Sequence, residues 1–157
     1  MKKEHHYKTK TIWKGNRGKG TFNYTSYDRE HIIRVENKID IIGSSDPNFR
    51  GDNTKHNPEE FLVSSVSSCH MLWYLHLCSS EGIIVLNYED EAFGTMVENE
   101  NGSGYFSEII LNPLVTVSKE TMAQRAILLH EEANKYCFIA NSLNFPIRHN
   151  VKINVLN

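Results

Sequence analysis

The stretch from Asn57 to Gly82, NPEEFLVSSVSSCHMLWYLHLCSSEG, constrains the fold most, because its ends are punctuated as a helix and its middle is almost wholly apolar. Asn57 can cap, Pro58 fits the first helical position where no amide hydrogen is needed, and Glu59 and Glu60 place negative charge at the positive end of the macrodipole. Gly82 is a natural stop. Between these signals Phe61, Leu62, Val63, Val66, Met71, Leu72, Trp73, Tyr74, Leu75 and Leu77 cover every side, and the intervening polar residues are mainly small serines. A helix apolar all round is expected inside the protein. This one carries Cys69 near its middle.

The chain of 157 residues is 39% hydrophobic and 23% charged, enough for one well-buried core, so a single domain over residues 1–157 is expected. A net charge of -2 with no long basic run gives no reason to expect nucleic acid as a partner. The basic N-terminus has no apolar core behind it, and Ser, His and Cys break the longest apolar run, so neither a secretory signal nor a membrane span is expected. The expectation is a soluble, cytoplasmic protein.

Before the helix, residues 7–13 alternate loosely, Gly15, Gly18 and Gly20 mark a turn, and Thr21 to Thr25 is rich in β-formers. These read as a hairpin with Asn16 and Arg17 near its tip. Strands are also expected at residues 31–35 and 39–42, followed by a polar loop over 43–56. After Gly82 come strand-like runs at 83–88, 91–98, 106–111 and 114–117, with a strong turn signal at 99–104 and Pro113 suited to an edge or a bulge. Ser118 can cap a second helix, along which Met122, Ala126, Leu129 and Ala133 form an apolar stripe and His130, Glu131, Glu132 and Lys135 a polar face. Residues 148–156 alternate as a closing strand.

The three cysteines, Cys69, Cys78 and Cys137, are too few for a disulfide scaffold and read as reduced thiols, either reactive or simply buried. Cys69 and Cys78 stand about 180° apart around the helix and roughly 13 Å along it, so they cannot bond to each other. That leaves Cys137 as the candidate partner of Cys69, provided the two helices pack side by side, and assigns Cys78 to packing. Neither Cys69-His70 nor His76-Cys78 has the spacing that aims two ligands at one metal ion, so no metal is expected. No local signature supports a Cys/His hydrolase either.

NPEEFLVSSVSSCHMLWYLHLC resembles the central helix of the OsmC/Ohr family of thiol-dependent hydroperoxide reductases, whose members carry Asn-Pro-Glu and a cysteine ten residues after that Glu; here these are Glu59 and Cys69. WKGNRGKGT resembles the family's first hairpin, with Arg17 in the place of its arginine, and KYCFIANSL puts Cys137 where the family has its second cysteine. The best-known members follow that cysteine with Pro, whereas here Phe138 stands there. The resemblance implies an α+β OsmC-like fold in which antiparallel sheets wrap two central helices, assembled as an intertwined homodimer.

It also implies a peroxidase (hydroperoxide reductase) cycle. Cys69 would attack a hydroperoxide and become a sulfenic acid, Cys137 would condense with it to a disulfide, and an external dithiol would reduce that bond without any cofactor. Arg17 would favour the Cys69 thiolate and orient the peroxide, and Glu59 would hold Arg17 in place. Glu59 and Cys69 are separated by roughly 15 Å on a straight helix, so Arg17 and Glu59 are expected to serve the partner subunit's Cys69. The competing expectation is a non-catalytic dimer that binds a small hydrophobic ligand or senses redox state through the same cysteines.

Overall fold

The computed structural model describes residues 2–156. These residues group into two compact units, one ending at Phe61 and the other beginning at Leu62.

The first unit holds three short antiparallel strands in the order β1 (Lys10–Trp13), β2 (His31–Arg34) and β3 (Ile41–Gly43). Ile32 is the middle of a cross-strand row, facing Ile12 on one side and Ile42 on the other. Isoleucine suits such pairs because its branched side chain packs well on a pleated surface. The tight turn from β2 to β3 places Asn37 at a φ of 61° and is braced by a two-point Arg34–Asp40 ion pair.

The expected second strand of the first hairpin, Thr21 to Thr25, does not form. Asn16 accepts hydrogen bonds from the amides of Gly18 and Gly20, and Asn23 accepts from both the amide and the hydroxyl of Thr25. Such local asparagine turns offer the backbone an alternative to a ladder, and here they outcompete β propensity. The partner of β1 is therefore β2, reached by a loop whose base is closed by the Asp28 amide donating to the Gly15 carbonyl. Gly15 is obligatory there, since a Cβ would sit 1.8 Å from the Asp28 carbonyl oxygen.

Helix α1 (Pro58–Ser80) follows the polar loop, which contains a short 3-10 turn at Pro47–Phe49. It ends as expected: Gly82 adopts a φ of 71° and the Ile83 amide reaches back to the Cys78 carbonyl. Its burial is not as expected. Only Val66, His70, Tyr74 and Cys78, four residues apart, are fully buried, while Leu72 stays 63% exposed. In a single chain α1 thus has one inner face and an apolar outer one.

The second unit contains β4 (Val85–Asp90), β5 (Phe93–Glu98), β6 (Gly104–Leu111), β7 (Pro113–Val117), α2 (Glu120–Tyr136), β8 (Ile147–His149) and β9 (Lys152–Val155). They form two three-stranded sheets, β4-β7-β9 and β5-β6-β8. The pairs β4/β7 and β5/β6 are antiparallel, but β6/β8 and β7/β9 are parallel, a departure from the all-antiparallel expectation. The closing segment, read as one strand, is split: Asn150, whose amide donates to the Leu111 carbonyl, lies between β8 in one sheet and β9 in the other.

Pro113 does not mark an edge, because β7 is the middle strand of its sheet. Pro113 is tolerated as the first residue of that strand, where a missing amide hydrogen costs least. Ser118 does not cap α2 either. The N-cap is Lys119, which makes no side-chain cap bond, and the Ser118 hydroxyl lies 3.5 Å from the Met122 sulfur. Helix α2 packs on β7 and β9, burying Ala126, Leu129 and Ala133 with Tyr74, Cys78, Val115 and Val117. A second cluster joins Val66 to Ile109 and Leu111.

Candidate active site

The position of Cys69 is set by how α1 begins and which face it buries. Asn57 Oδ1 accepts the Glu60 amide at 2.8 Å and Glu60 Oε2 accepts the Asn57 amide at 3.2 Å, a reciprocal capping box. From that start, the inner stripe through Val66, His70, Tyr74 and Cys78 leaves Cys69 on the flank of the helix, half-buried. Cys78 lies in the core, where burial pushes its thiol pKa up.

Cys137 comes from the end of α2. It is the residue at which the helix stops, with φ -67° and ψ 105°, and its amide still donates to the Ala133 carbonyl at 3.0 Å. No proline is needed for that break; a short 3-10 turn at Ala140–Ser142 resumes after it, and the Ala140 amide donates to the Cys137 sulfur at 3.4 Å. Cys137 is fully buried and all three cysteines are free. Cys137 lies beside Cys69. Burial first, and then the neighbouring Cys69 thiol, push the Cys137 thiol up to about 11. Cys137 therefore keeps its proton at neutral pH.

Three aromatic rings border the pair. Trp73 follows Cys69 by one helical turn, and Tyr136 and Phe138, the chain neighbours of Cys137, both pack against it. Leu72, Trp73 and His76 line a shallow cavity of about 260 Å³.

The structure brings Cys69 and Cys137 together, but it does not join Arg17 to Glu59 within one chain. Arg17 is exposed on the loop between β1 and β2, where its guanidinium donates to the Thr25 carbonyl and lies 3.6 Å from the Asp28 carboxylate. Glu59 is half-buried, and its Oε2 is enclosed without a hydrogen-bond partner among the described residues. Glu60, not Glu59, makes the capping contacts.

A buried histidine cluster escaped the sequence reading. His70 Nε2 and His130 Nδ1 are 2.9 Å apart, the His149 ring lies 4.4 Å from that of His70, and Tyr74 stacks on His130 at 3.8 Å. His130, expected on the polar face of α2, is 1% exposed. Burial holds His70 and His130 down to about 3 and lowers His149 as well, so all three rings are neutral at pH 7. The available signal was spacing: His70 is four residues from both Val66 and Tyr74, and His130 four from Ala126. Among the described residues no three His, Cys, Asp or Glu side chains are arranged to hold a metal ion. No helix among the described residues is long and apolar enough to cross a membrane.

Two helices on sheets, with a thiol on one helix beside a thiol at the end of the other, define an α+β protein with two neighbouring cysteines. The sequence profile described as OsmC-like protein matches residues 51–152, and the chain belongs to that family. The match includes Glu59, Cys69 and Cys137 and leaves out Arg17.

An OsmC-like protein of unknown function from Vibrio cholerae is similar in structure, with a TM-score of 0.84 and 27% identity over 95% of this chain and 100% of that one. An organic hydroperoxide resistance protein from Elizabethkingia anophelis, with crystallant-derived thiocyanate bound, shares the fold at a TM-score of 0.67 and 17% identity, covering 98% of this chain and 100% of that one. An organic hydroperoxide resistance protein OsmC from Legionella pneumophila does so at 0.64 and 12%, covering 97% and 100%. No curated protein matches the chain in sequence.

Proposed function

We propose that the protein is a cysteine-based peroxidase that reduces organic hydroperoxides, with hydrogen peroxide as a further substrate, in cytoplasmic defence against oxidative stress. The observation that carries this reading is that a half-buried Cys69 and a fully buried, protonated Cys137 are neighbours, one from α1 and one from the end of α2. The fold shared with two organic hydroperoxide resistance proteins supports it.

Exposure supports a division of roles. A hydroperoxide reaches Cys69 before Cys137, so the Cys69 thiolate attacks the terminal peroxide oxygen, the O–O bond breaks, and the alkoxide leaves as alcohol after taking a proton. Cys69 is then a sulfenic acid, oxidised by two electrons. The Cys137 sulfur attacks it, an S–S bond forms, and the hydroxyl leaves as water with the Cys137 proton. An external dithiol returns both cysteines to thiols by two exchange steps. No metal or organic cofactor enters this cycle.

The protein acts as a homodimer in this reading. Leu72 on α1 and Ile41 and Ile42 on β3 are exposed in the single chain, apolar surface that a second copy would cover. Arg17 and Glu59 then serve the partner subunit's Cys69, with the enclosed Glu59 oxygen accepting from a guanidinium.

The experiment is consumption of cumene hydroperoxide with dithiothreitol or dihydrolipoamide by the wild type, Cys69→Ser and Cys137→Ser. Loss of turnover in the first variant and a trapped sulfenic acid in the second are expected; undiminished turnover in Cys69→Ser would sink the assignment. The apolar cavity at Leu72, Trp73 and His76 favours, as a second reading, a non-catalytic binder of a small hydrophobic ligand or redox sensor. A wild type that binds cumene hydroperoxide without consuming it would decide for that reading.

A further inference from the structure

Trp73 and Cys69 are four residues apart on α1, so their side chains rise from the same side of the helix one turn apart. On the other element, Tyr136 and Phe138 flank Cys137 on either side. The Tyr136 ring stacks on Trp73 with centroids 5.2 Å apart and planes at 27°, and Phe138 meets the same indole edge-on at 5.6 Å and 83°. Both are favoured geometries for aromatic pairs. The residues on both sides of one thiol therefore grip a single ring on the helix that bears the other.

Burial does not explain why the two rings sit there, since Tyr136 is 51% and Phe138 67% exposed. Helix α2 ends at Tyr136, Cys137 is extended, and the 3-10 turn begins only at Ala140. Local hydrogen bonds brace this helix end: the Cys137 amide donates to the Ala133 carbonyl, the Asn141 amide to the Cys137 carbonyl and the Ser142 hydroxyl to the Phe138 carbonyl. These bonds stay within residues 133–142 and fix the segment's own shape, not its distance from α1. Trp73 supplies a tie to α1.

We propose that Trp73 is a positioning residue for disulfide closure: it pins residues 136–138 so that the Cys137 sulfur stays within reach of the Cys69 sulfur. The inference rests on the peroxidase reading for its role in turnover, though not for its geometry. In the closing step the Cys137 sulfur displaces the hydroxyl of the Cys69 sulfenic acid, the S–O bond breaks as the S–S bond forms, and water departs. Trp73 gives neither proton nor electron to this step. It raises the local concentration of one sulfur at the other, which is an entropic advantage. Without it the sulfenic acid waits longer, and a second hydroperoxide oxidises it to sulfinic acid, releasing a second alcohol.

The test separates closure from peroxide attack. Purified wild type, Trp73→Ala and Trp73→Phe are equilibrated with mixtures of reduced and oxidised dithiothreitol, and the fraction of Cys69–Cys137 disulfide is read by thiol trapping. The same substitutions in a Cys137→Ser background report the attack step alone, as stoichiometric loss of cumene hydroperoxide. Trp73→Ala is expected to lower the disulfide equilibrium constant about tenfold, from the loss of two aromatic contacts, and Trp73→Phe to restore most of it. The attack step should slow less than closure does, and sulfinic acid should accumulate in Trp73→Ala under excess hydroperoxide.

Equal disulfide constants in wild type and Trp73→Ala would overturn the proposal, as would equal slowing of attack and closure. If Trp73→Ala does not fold, Tyr136→Ser/Phe138→Ser, which changes only exposed rings, takes its place: a tenfold lower disulfide constant supports the proposal and an unchanged one overturns it. If the wild type consumes no hydroperoxide, the peroxidase reading fails while the dithiothreitol equilibrium still decides the role of Trp73.

Discussion

Cys69 and His70 are neighbours in the sequence and about 100° apart on α1, and the two faces they occupy treat polar groups in opposite ways. The Cys69 face is half-open, and its neighbour there is another thiol, brought from the end of α2. The His70 face is closed, and there His70, His130 and His149 stack with Tyr74 in a neutral cluster. His70 Nδ1, His130 Nε2, His149 Nε2 and the Tyr74 hydroxyl oxygen are enclosed without hydrogen-bond partners among the described residues. A reactive group needs solvent and substrate on one side, whereas a buried imidazole is held only by staying neutral. One residue step on a helix is enough to change which requirement applies.

The sharpest way to break this contrast is to exchange cysteine for serine on each face in turn. Cys69→Ser is expected to lower hydroperoxide turnover by about 10⁴-fold or more, because a neutral hydroxyl cannot replace a thiolate nucleophile. Cys78→Ser, on the closed face, should leave turnover within about threefold and instead reduce stability by about 1 to 2 kcal/mol, since it buries a hydroxyl in an apolar cluster. Steady-state rates together with urea unfolding separate the two outcomes. Comparable loss of turnover in both variants would mean that the faces are not functionally distinct.

The closed face should reveal itself in acid. Buried neutral, His70 and His130 have pKa values of about 3, against about 6.5 for a solvent-exposed imidazole. Below pH 6.5 the unfolded chain therefore binds protons that the folded chain refuses, and stability falls as pH falls through the window from 6.5 toward 3. For two imidazoles the loss is about 3 kcal/mol between pH 6.5 and pH 5, a range in which ordinary carboxylates stay ionised. Urea midpoints at pH 7, 6 and 5 measure it. His130→Leu removes one of the two groups and should roughly halve the slope. Wild-type stability that is flat from pH 7 to pH 5 would show that the cluster accepts protons in the folded state.

The two faces were not equally legible. Helix geometry removes Cys78 and leaves Cys137 as the candidate partner of Cys69, while the pairing itself comes only with the family resemblance. The limits of α1 were legible for a local reason: Asn57, Pro58 and Gly82 act through their own backbone and cap geometry, which tertiary contacts do not override. His130 was assigned to the wrong face because imidazole looks polar in sequence, while its position beside Leu129 and four residues after Ala126 was apolar in pattern. Thr21 to Thr25 was read from β propensity alone, and the asparagine turns at Asn16 and Asn23 prevailed. The parallel pairing of β8 and β9 had no local signature, since it depends on where the chain returns after α2.

The smallest expected effect tests whether the two faces are independent of the helix they share. Asn57→Ala removes the side-chain acceptor that holds the Glu60 amide, and loss of such a cap costs about 1 kcal/mol. The fraying it causes is confined to the first turn, more than two turns before Cys69 and His70. The urea midpoint should therefore drop at every pH by the same amount, with the acid slope and the Cys69–Cys137 disulfide constant both unchanged. Asn57→Asp, which keeps an acceptor at the cap, should recover the midpoint. A cap variant that steepens the acid slope would mean that the histidine cluster senses the start of α1, and that the closed face extends further along the helix than its buried stripe.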